Sequence, residues 1–304
     1  MATNNTLLYI ISVLIWGSTW LAIEFQLGVV APEVSVVYRY VIAAALLFGW
    51  CLAKGLNLRF DVRAHAWFVV LGFLLFGLNY ILAYRAQVYI TSALSAIAFA
   101  MMLWMNIALA RVFFGVRAGW RVLLGAVLGI AGIIVIFAPQ VDEFSLSNST
   151  IFGMSLALAG ALTASFGNMA SQKAQKSSLP VMQSNAWGMF YGALMTLSYA
   201  VYRGYEFNFD PSAGYVVSLL FLAVFGSVVA FWCYLTLLGR IGAHKVGYAS
   251  VMFPVVALTL SVLFEGLEVT PNLVAGTTLV LAGNVFVLRG PVRPRPAQPA
   301  AVKA

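Results

Sequence analysis

The sequence predicts an all-α integral membrane protein of ten transmembrane helices, arranged as two inverted five-helix repeats around a central cavity. Three observations support this prediction: a very apolar composition, ten apolar stretches of membrane-spanning length, and a glycine spacing shared by the two halves of the chain. Of the 304 residues, 62% are hydrophobic and 9% are charged, whereas a typical soluble domain carries about 25% charged residues. Lipid is the solvent in which so many apolar side chains can face outward.

Ten stretches are long and apolar enough to span a bilayer. A helix needs about 20 mostly apolar residues to cross the roughly 30 Å hydrocarbon core. The stretches are residues 7–25, 34–53, 66–84, 93–110 and 119–137 in the first half, and 151–169, 181–202, 215–238, 246–264 and 273–288 in the second. The first stretch lacks a small-residue cleavage pattern, so it is expected to remain as a span.

The distribution of charge supports the count of ten spans. With ten spans, fourteen of the seventeen Lys and Arg residues fall on one side of the membrane, and eight of the nine Asp and Glu residues fall on the other. Loops rich in Lys and Arg stay in the cytoplasm, so both termini are predicted to be cytoplasmic. The net charge of +8 is therefore explained by Lys and Arg residues that orient the protein in the membrane. No basic stripe or motif indicates nucleic-acid binding.

The two halves share a glycine pattern. Gly125 and Gly132 in the fifth span recur as Gly276 and Gly283 in the tenth, at an offset of 151 residues. Any one of these glycines is explained by close helix packing, but packing alone does not explain the shared spacing. Because five is an odd number of spans, the second copy enters the membrane from the opposite side. Inverted repeats of this kind are typical of secondary transporters that work by alternating access.

This repeat defines the predicted division of the chain. Residues 1–145 form the first five-helix repeat, residues 146–290 form the second, inverted repeat, and residues 291–304 form a disordered cytoplasmic tail with four prolines.

Short motifs in the spans resemble a known family. Trp16-Gly17-Ser18 in the first span, Arg39 in the second, and the Gly-x6-Gly helices that end each half resemble the drug/metabolite transporter superfamily. Within it, residues 6–289 are similar to the ten-helix EamA-type exporters, in particular to aromatic amino-acid exporters. The resemblance implies a bacterial inner-membrane location and the outward movement of small metabolites by alternating access.

Arg39 is the most informative polar residue inside a span. It lies about six residues, or about 9 Å, into the second span. Ionisable residues inside membranes commonly mark substrate pathways. Its guanidinium could attract a substrate carboxylate or act as a gate. The alternative is a structural role, in which Arg39 pairs with Glu24 or with a carbonyl at a helix end.

Other polar and aromatic side chains are predicted to complete the cavity. They fall at helical spacing on several spans, although each aromatic could instead face lipid or the interface. The predicted cavity residues besides Arg39 are Trp16, Trp20, Asn79, Tyr80, Tyr84, Ser95, Phe99, Ser165, Asn168, Phe231, Tyr248 and Met252. Pro254 removes one backbone hydrogen bond from the ninth span and, together with Gly226, is predicted to act as a gate or hinge.

The sequence therefore predicts a secondary transporter and not an enzyme. Aromatic walls with few polar groups suit the export of neutral and aromatic amino acids, over a broad range that includes methionine- or threonine-like substrates, and of related metabolites. The alternatives are another substrate class, such as nucleotide sugars, sugar phosphates or cationic drugs, and a passive facilitator or channel. Because no Asp or Glu lies near the middle of a span, facilitated or loosely coupled transport is expected.

Cysteine and histidine usage argues against other chemistry. Cys51 and Cys233 lie in separate apolar spans and are expected to be unpaired thiols. With two isolated histidines, they form no constellation for an intramembrane enzyme or a metal site. No cofactor is expected. The expected partners are an amino-acid substrate and the lipid bilayer, without nucleic acid. A monomer is expected, with an oligomer as the alternative.

Overall fold

Helices make up nearly all of the chain that the computed structural model describes, namely residues 4–141, 148–264 and 269–288. Within these ranges there is no β-strand, and the helices group into ten spans that we number α1 to α10. The first half contributes α1 (Asn5–Glu24), α2 (Pro32–Ala53), α3 (Val62–Gln87), α4 (Ser92–Ala100 and Met102–Phe114) and α5 (Trp120–Val141).

The second half repeats this order. It contributes α6 (Asn148–Lys176), α7 (Val181–Tyr202), α8 (Ala213–Ile241), α9 (Ala243–Val246 and Ala249–Phe264) and α10 (Pro271–Leu288). Each predicted span coincides with one of these helices. The predicted break between the third and fourth spans lies after Gln87, and the Thr91 hydroxyl caps α4 by accepting from the backbone N–H of Leu94 at 3.3 Å. The ten-helix membrane fold is therefore confirmed.

The spans differ in how apolar they are. Among the described residues, seven helices are long and apolar enough to cross a membrane, and α5 and α10 contribute shorter apolar helices. The remaining span, α7, is 22 residues long, but the polar residues Gln183, Ser184 and Asn185 follow directly after its first two residues and are buried inside the protein. Since these side chains avoid lipid, the polarity of α7 is compatible with a membrane location.

The two ends of the bundle carry different charges. The ends that carry Lys54, Arg111, Lys173 and Arg240 form what we call the basic face; on it, Arg240 donates to the Asn5 side chain at 3.0 Å. The opposite ends form the acidic face. There the Arg85 Nε donates to the Glu33 carboxylate at 2.6 Å, and the Arg85 Nη2 donates to the Tyr205 hydroxyl.

Two glycine contacts join α5 to α10. A Cβ atom added to Gly125 would lie 2.6 Å from the carbonyl oxygen of Gly283, and one added to Gly132 would lie 2.6 Å from that of Gly276. As the residue number rises in α5 it falls in α10, so the helices are antiparallel. Gly125 is equivalent to Gly276, and Gly132 is equivalent to Gly283. When each glycine of one contact is replaced by its equivalent in the other half, the result is the other contact, as a two-fold axis between inverted repeats requires.

The third helix of each half contains a π-helical segment. These segments are Gly72–Leu78 in α3 and Leu222–Val229 in α8, about 150 residues apart, which is close to the glycine offset. The sequence predicted a transmembrane helix at both places and gave no indication of a π-helical segment. Glycines permit close approach at the first segment, because a Cβ atom on Gly72 would lie 2.9 Å from the backbone nitrogen of Gly192 in α7. π-helical turns are rare and are often found at functional sites.

Some predictions fall outside the described residues. The boundary between the repeats at residues 145 and 146, the acids Asp142, Glu143, Glu265 and Glu268, and the predicted tail at 291–304 belong to this group. The boundaries of the repeats stay a prediction. Cys51 and Cys233 are buried, unpaired thiols, as expected.

Candidate substrate cavity

A central cavity lies where six of the ten helices meet. Its volume is about 60 Å³, measured as the space that the centres of water molecules can occupy. This volume is enough for a few waters, since each needs about 10–15 Å³. The lining residues are Trp16, Thr19, Trp20 and Ile23 of α1, Leu75, Asn79, Tyr80 and Ala83 of α3, Phe99 and Met102 of α4, Ala164 and Asn168 of α6, Phe231 and Tyr234 of α8, and Phe253 of α9. Both halves of the chain therefore build the wall.

Aromatic rings form much of the cavity wall. The Trp16 ring centroid lies 4.8 Å from those of both Phe231 and Tyr234, and the Trp20 ring meets Phe99 at 4.9 Å. Tilted and edge-to-face contacts at these distances are favourable for aromatic pairs. The result is a rigid apolar surface that would suit another flat or apolar group.

Two lining side chains have polar atoms without a partner. The Trp20 Nε1 donor and the Asn79 Oδ1 acceptor are buried and form no hydrogen bond. Buried polar groups are usually paired, because leaving one unpaired costs about 1–3 kcal/mol. Two residues that line the cavity therefore each hold one buried polar atom without a partner.

A hydrogen-bonded cluster lies at another part of the cavity. The Asn168 amide nitrogen donates to the Tyr234 hydroxyl at 3.1 Å and to the Asn106 Oδ1 at 3.3 Å. It therefore connects α6 with α8 and α4, and so joins the two halves. Asn168 was predicted as a cavity residue, and Asn106 lies behind it.

Arg39 lies behind the cavity wall and not on it. Its side chain is 1% exposed. The Nε donates to the Ser227 hydroxyl at 2.9 Å, and the two terminal nitrogens reach the hydroxyls of Tyr84 at 3.3 Å and Tyr80 at 3.5 Å. The alternative prediction, an ion pair between Arg39 and Glu24, is not found in the structure.

Seven predicted residues line the cavity, and several others do not. Those on the wall are Trp16, Trp20, Asn79, Tyr80, Phe99, Asn168 and Phe231. Besides Arg39, the predicted residues off the wall are Tyr84, which contacts Arg39; Ser165, which donates to the Ala161 carbonyl of its own helix; Tyr248, which donates to the Val280 carbonyl of α10; and the buried Ser95 and Met252. Ser165 and Tyr248 bond to backbone carbonyls, so polarity alone did not indicate the direction of these side chains.

The sequence interpretation also missed lining residues. Thr19 and Ile23 follow Trp16 at spacings of three and seven, and Tyr234 follows Phe231 at a spacing of three. Side chains three or four apart share one helix face, so this periodicity could have identified them. Ala83 follows Asn79 by four residues and Ala164 precedes Asn168 by four, so the same spacing also places these two small residues on the lining faces.

Gly226 joins the first helix to the second π segment. Its carbonyl oxygen accepts from the Trp16 indole at 2.9 Å. A Cβ atom at this position would lie 3.0 Å from the Thr19 methyl and 3.1 Å from the Arg39 Nη2. The absence of a side chain therefore lets a lining residue and the buried arginine approach the same point of α8.

Gly226→Ala is expected to slow transport about tenfold while the protein still folds, because crowding of 1–3 kcal/mol is typical for such a contact. Gly49→Ala is the matched control, since no atom lies within 4 Å of its Cβ position in α2. Transport rates in vesicles and melting temperatures of the purified variants test this. Equal rates for the two variants would remove Gly226 from the proposed hinge.

Pro254 is buried next to the lining residue Phe253 in α9. Its role as a hinge stays a prediction.

Both halves of the chain are similar to known proteins. The profile of the EamA-like transporter family matches residues 5–138 and 151–289. "Uncharacterized transporter YoaV" of Bacillus subtilis (strain 168) is 28% identical over 286 residues, covering 92% of this chain and 95% of its own. "Probable amino-acid metabolite efflux pump" of Escherichia coli (strain K12) is 24% identical over 303 residues, covering 95% and 97%.

Two further similarities concern location and fold. "Uncharacterized inner membrane transporter YedA" of Escherichia coli (strain K12) is 26% identical over 250 residues, covering 81% of this chain and 78% of its own. A protein crystal structure with 19% sequence identity superposes with a TM-score of 0.77 over 93% of this chain and 95% of its own, which shows a shared fold. With both of its halves matched by the family profile, the chain belongs to the EamA-like transporter family.

Proposed function

We propose that the chain exports neutral amino acids with aromatic or large aliphatic side chains by alternating access. Family membership makes it a non-enzymatic transporter of small metabolites in a bacterial inner membrane, crossing it several times. The observation that carries the proposal is the aromatic cavity with an unpartnered donor at Trp20 Nε1 and an unpartnered acceptor at Asn79 Oδ1. An amino acid with an apolar side chain supplies the matching acceptor, donor and apolar surface.

The chemistry of the wall favours this class over its rivals. No Lys, Arg, His, Asp or Glu is among the lining residues of the described chain. A nucleotide sugar or sugar phosphate favours a cluster of cationic groups for its phosphates, and a cationic drug needs a carboxylate or a larger open aromatic surface. A zwitterion with a neutral side chain has no net charge to neutralise. The name of the Escherichia coli efflux pump agrees with this choice.

Alternating access requires the cavity to widen. Small-molecule pockets typically measure about 300–1,000 Å³, so a cavity with room for a few waters supports a contracted state of the cycle. Hydrogen bonds between the halves, such as Trp16 to Gly226, would break and re-form as the cavity opens. We place the basic face in the cytoplasm, following the bias of Lys and Arg, so that export runs from the basic to the acidic face.

Purified protein in vesicles tests the proposal directly. We expect saturable transport of labelled phenylalanine, with competition by methionine and tryptophan but not by a nucleotide sugar or a cationic dye. Transport of the dye or of the nucleotide sugar in place of amino acids would overturn the proposed substrate class. Flux that does not saturate would indicate a channel instead of a carrier.

Trp20→Phe refines this experiment. It keeps the ring contact with Phe99 but removes the Nε1 donor, so we expect phenylalanine affinity to fall about tenfold, the cost of one hydrogen bond to a charged group. Ser165→Ala is the matched control, because its hydroxyl is buried and bonded within its own helix. If both variants bind phenylalanine equally well, Trp20 does not contact the substrate.

A further inference from the structure

Arg39 is a buried cation without a buried anion. Within the described ranges 4–141, 148–264 and 269–288, Arg85 forms an ion pair with Glu33, whereas Arg39 forms no ion pair. Its partners are three hydroxyl groups and the rings of Tyr80 and Tyr40, whose centroids lie 4.5 and 5.5 Å from the guanidinium carbon. An arginine stays charged in proteins, so this site holds a permanent positive charge that neutral groups only partly compensate.

The contacts of the guanidinium are unequal. The Nε bond to Ser227 at 2.9 Å has normal length, whereas the terminal nitrogens reach Tyr84 at 3.3 Å and Tyr80 at 3.5 Å, near the limit for a hydrogen bond. Ser227 also donates to the Leu222 carbonyl at 3.0 Å, so it is fixed by the π segment of α8. The stem of Arg39 is thus anchored, while its two terminal nitrogens hold weak and exchangeable partners.

Tyr80 contacts both the cavity and these terminal nitrogens. Tyr80 lines the cavity, and it covers the guanidinium with its ring while its hydroxyl meets the Arg39 Nη2. Thr19, another lining residue, and the same Nη2 both approach Gly226. A change of the Tyr80 rotamer would therefore connect the buried charge to the cavity.

We propose that Arg39 binds the carboxylate of the transported molecule after Tyr80 swings away from the guanidinium. This inference rests on the proposed function and deepens it by assigning one residue to the carboxylate of the substrate. The two terminal nitrogens form the planar fork that accepts a carboxylate with two parallel hydrogen bonds. A carboxylate has about four lone-pair positions, so acceptors remain for the Trp20 indole. When the site is empty, the rings and hydroxyls of the tyrosines shield the charge.

Binding of matched ligands to the purified protein tests the proposal. The probes are phenylalanine, phenylalaninol and phenylalaninamide, which share the ring and the amine and differ at the carboxylate, and 3-phenylpropionate, which keeps the carboxylate without the amine. For the wild type we expect phenylalanine to bind at least thirtyfold more tightly than phenylalaninol. Arg39→Gln should weaken phenylalanine binding thirtyfold or more and change phenylalaninol binding less than twofold.

Two further variants control for charge and folding. Arg203→Gln removes one positive charge from an exposed position on the acidic face and should leave all four affinities unchanged. Arg39→Lys keeps the charge but not the fork, so it should retain part of the preference for a carboxylate and, if Arg39→Gln does not fold, it replaces that variant in the comparison. Melting temperatures report folding independently of binding.

Three results would overturn the inference. Equal weakening of phenylalanine and phenylalaninol by the Arg39 substitutions would assign Arg39 a purely structural role. Phenylalanine and phenylalaninol binding equally well to the wild type would leave the amino-acid proposal standing and remove the carboxylate contact. Failure of both phenylalanine and 3-phenylpropionate to bind would reject the substrate class and the arginine contact together.

Discussion

Gly132→Leu is expected to cause a large loss of stability. A Cβ atom there would lie 2.6 Å from the carbonyl oxygen of Gly276 and 2.9 Å from the backbone nitrogen of Val280. Backbone atoms of a packed helix cannot move individually, so α5 and α10 would have to separate. Overpacking typically costs 1–3 kcal/mol, and we expect about 3 kcal/mol or more for a whole leucine side chain at a backbone contact.

Matched variants make this prediction specific. Gly276→Leu should destabilise the protein by a similar amount, because a Cβ atom there would lie 2.5 Å from the Gly132 carbonyl. Gly49→Leu in α2 should have little effect, since its Cβ position is open and the residue is exposed. Size-exclusion chromatography after heating in detergent gives the melting temperatures. Comparable melting temperatures for Gly132→Leu and Gly49→Leu would contradict the packing argument.

Arg85→Met is expected to destabilise the protein by about 2–3 kcal/mol, less than the usual cost of removing one partner from a fully buried ion pair, because the Arg85 side chain is 31% exposed. The Glu33 side chain is fully buried, and Arg85 supplies its hydrogen bond at 2.6 Å, while the second carboxylate oxygen has no partner. Without the arginine, a carboxylate would remain in an apolar environment. We expect a melting temperature far below that of the wild type.

The double variant Glu33→Gln/Arg85→Met should recover most of this stability, because a neutral amide needs no cation. Arg203→Met serves as the control for losing an exposed arginine on the same face. The melting temperatures of the wild type, Glu33→Gln, Arg85→Met and the double variant form a cycle that isolates the charge interaction. If the double variant melts as early as Arg85→Met, the packing of the arginine matters more than its charge.

The helices were predictable because apolar length is a direct requirement of the bilayer. The helices extend beyond the predicted spans, for instance to Lys176 in α6, since polar residues can continue a helix past the hydrocarbon core. The π segments at Gly72–Leu78 and Leu222–Val229 were not predictable. Their hydrogen-bond register depends on how closely a neighbouring helix approaches, which a single sequence does not encode in a recognisable pattern.

The cavity was only partly predictable for a related reason. Trp16, Trp20 and Asn79 were identified because bulky aromatic and amide side chains are conspicuous in apolar helices, and they do line the cavity. Ser165 and Tyr248 have equally conspicuous groups, but these bond to backbone carbonyls of α6 and α10. Residue type reveals that a polar group must be satisfied, whereas helix rotation decides whether a neighbouring backbone or a ligand satisfies it.

The π segments of α3 and α8 affect how the cavity can change shape. In a π turn each N–H reaches the carbonyl five residues earlier, so a small shift exchanges it for the carbonyl four residues earlier. Such an exchange would rotate the helix that forms the cavity wall, while every backbone N–H keeps a carbonyl as its hydrogen-bond acceptor. In hydrocarbon no water can replace a lost backbone partner. Both walls can therefore reshape without the penalty that melting a helical turn would carry in lipid.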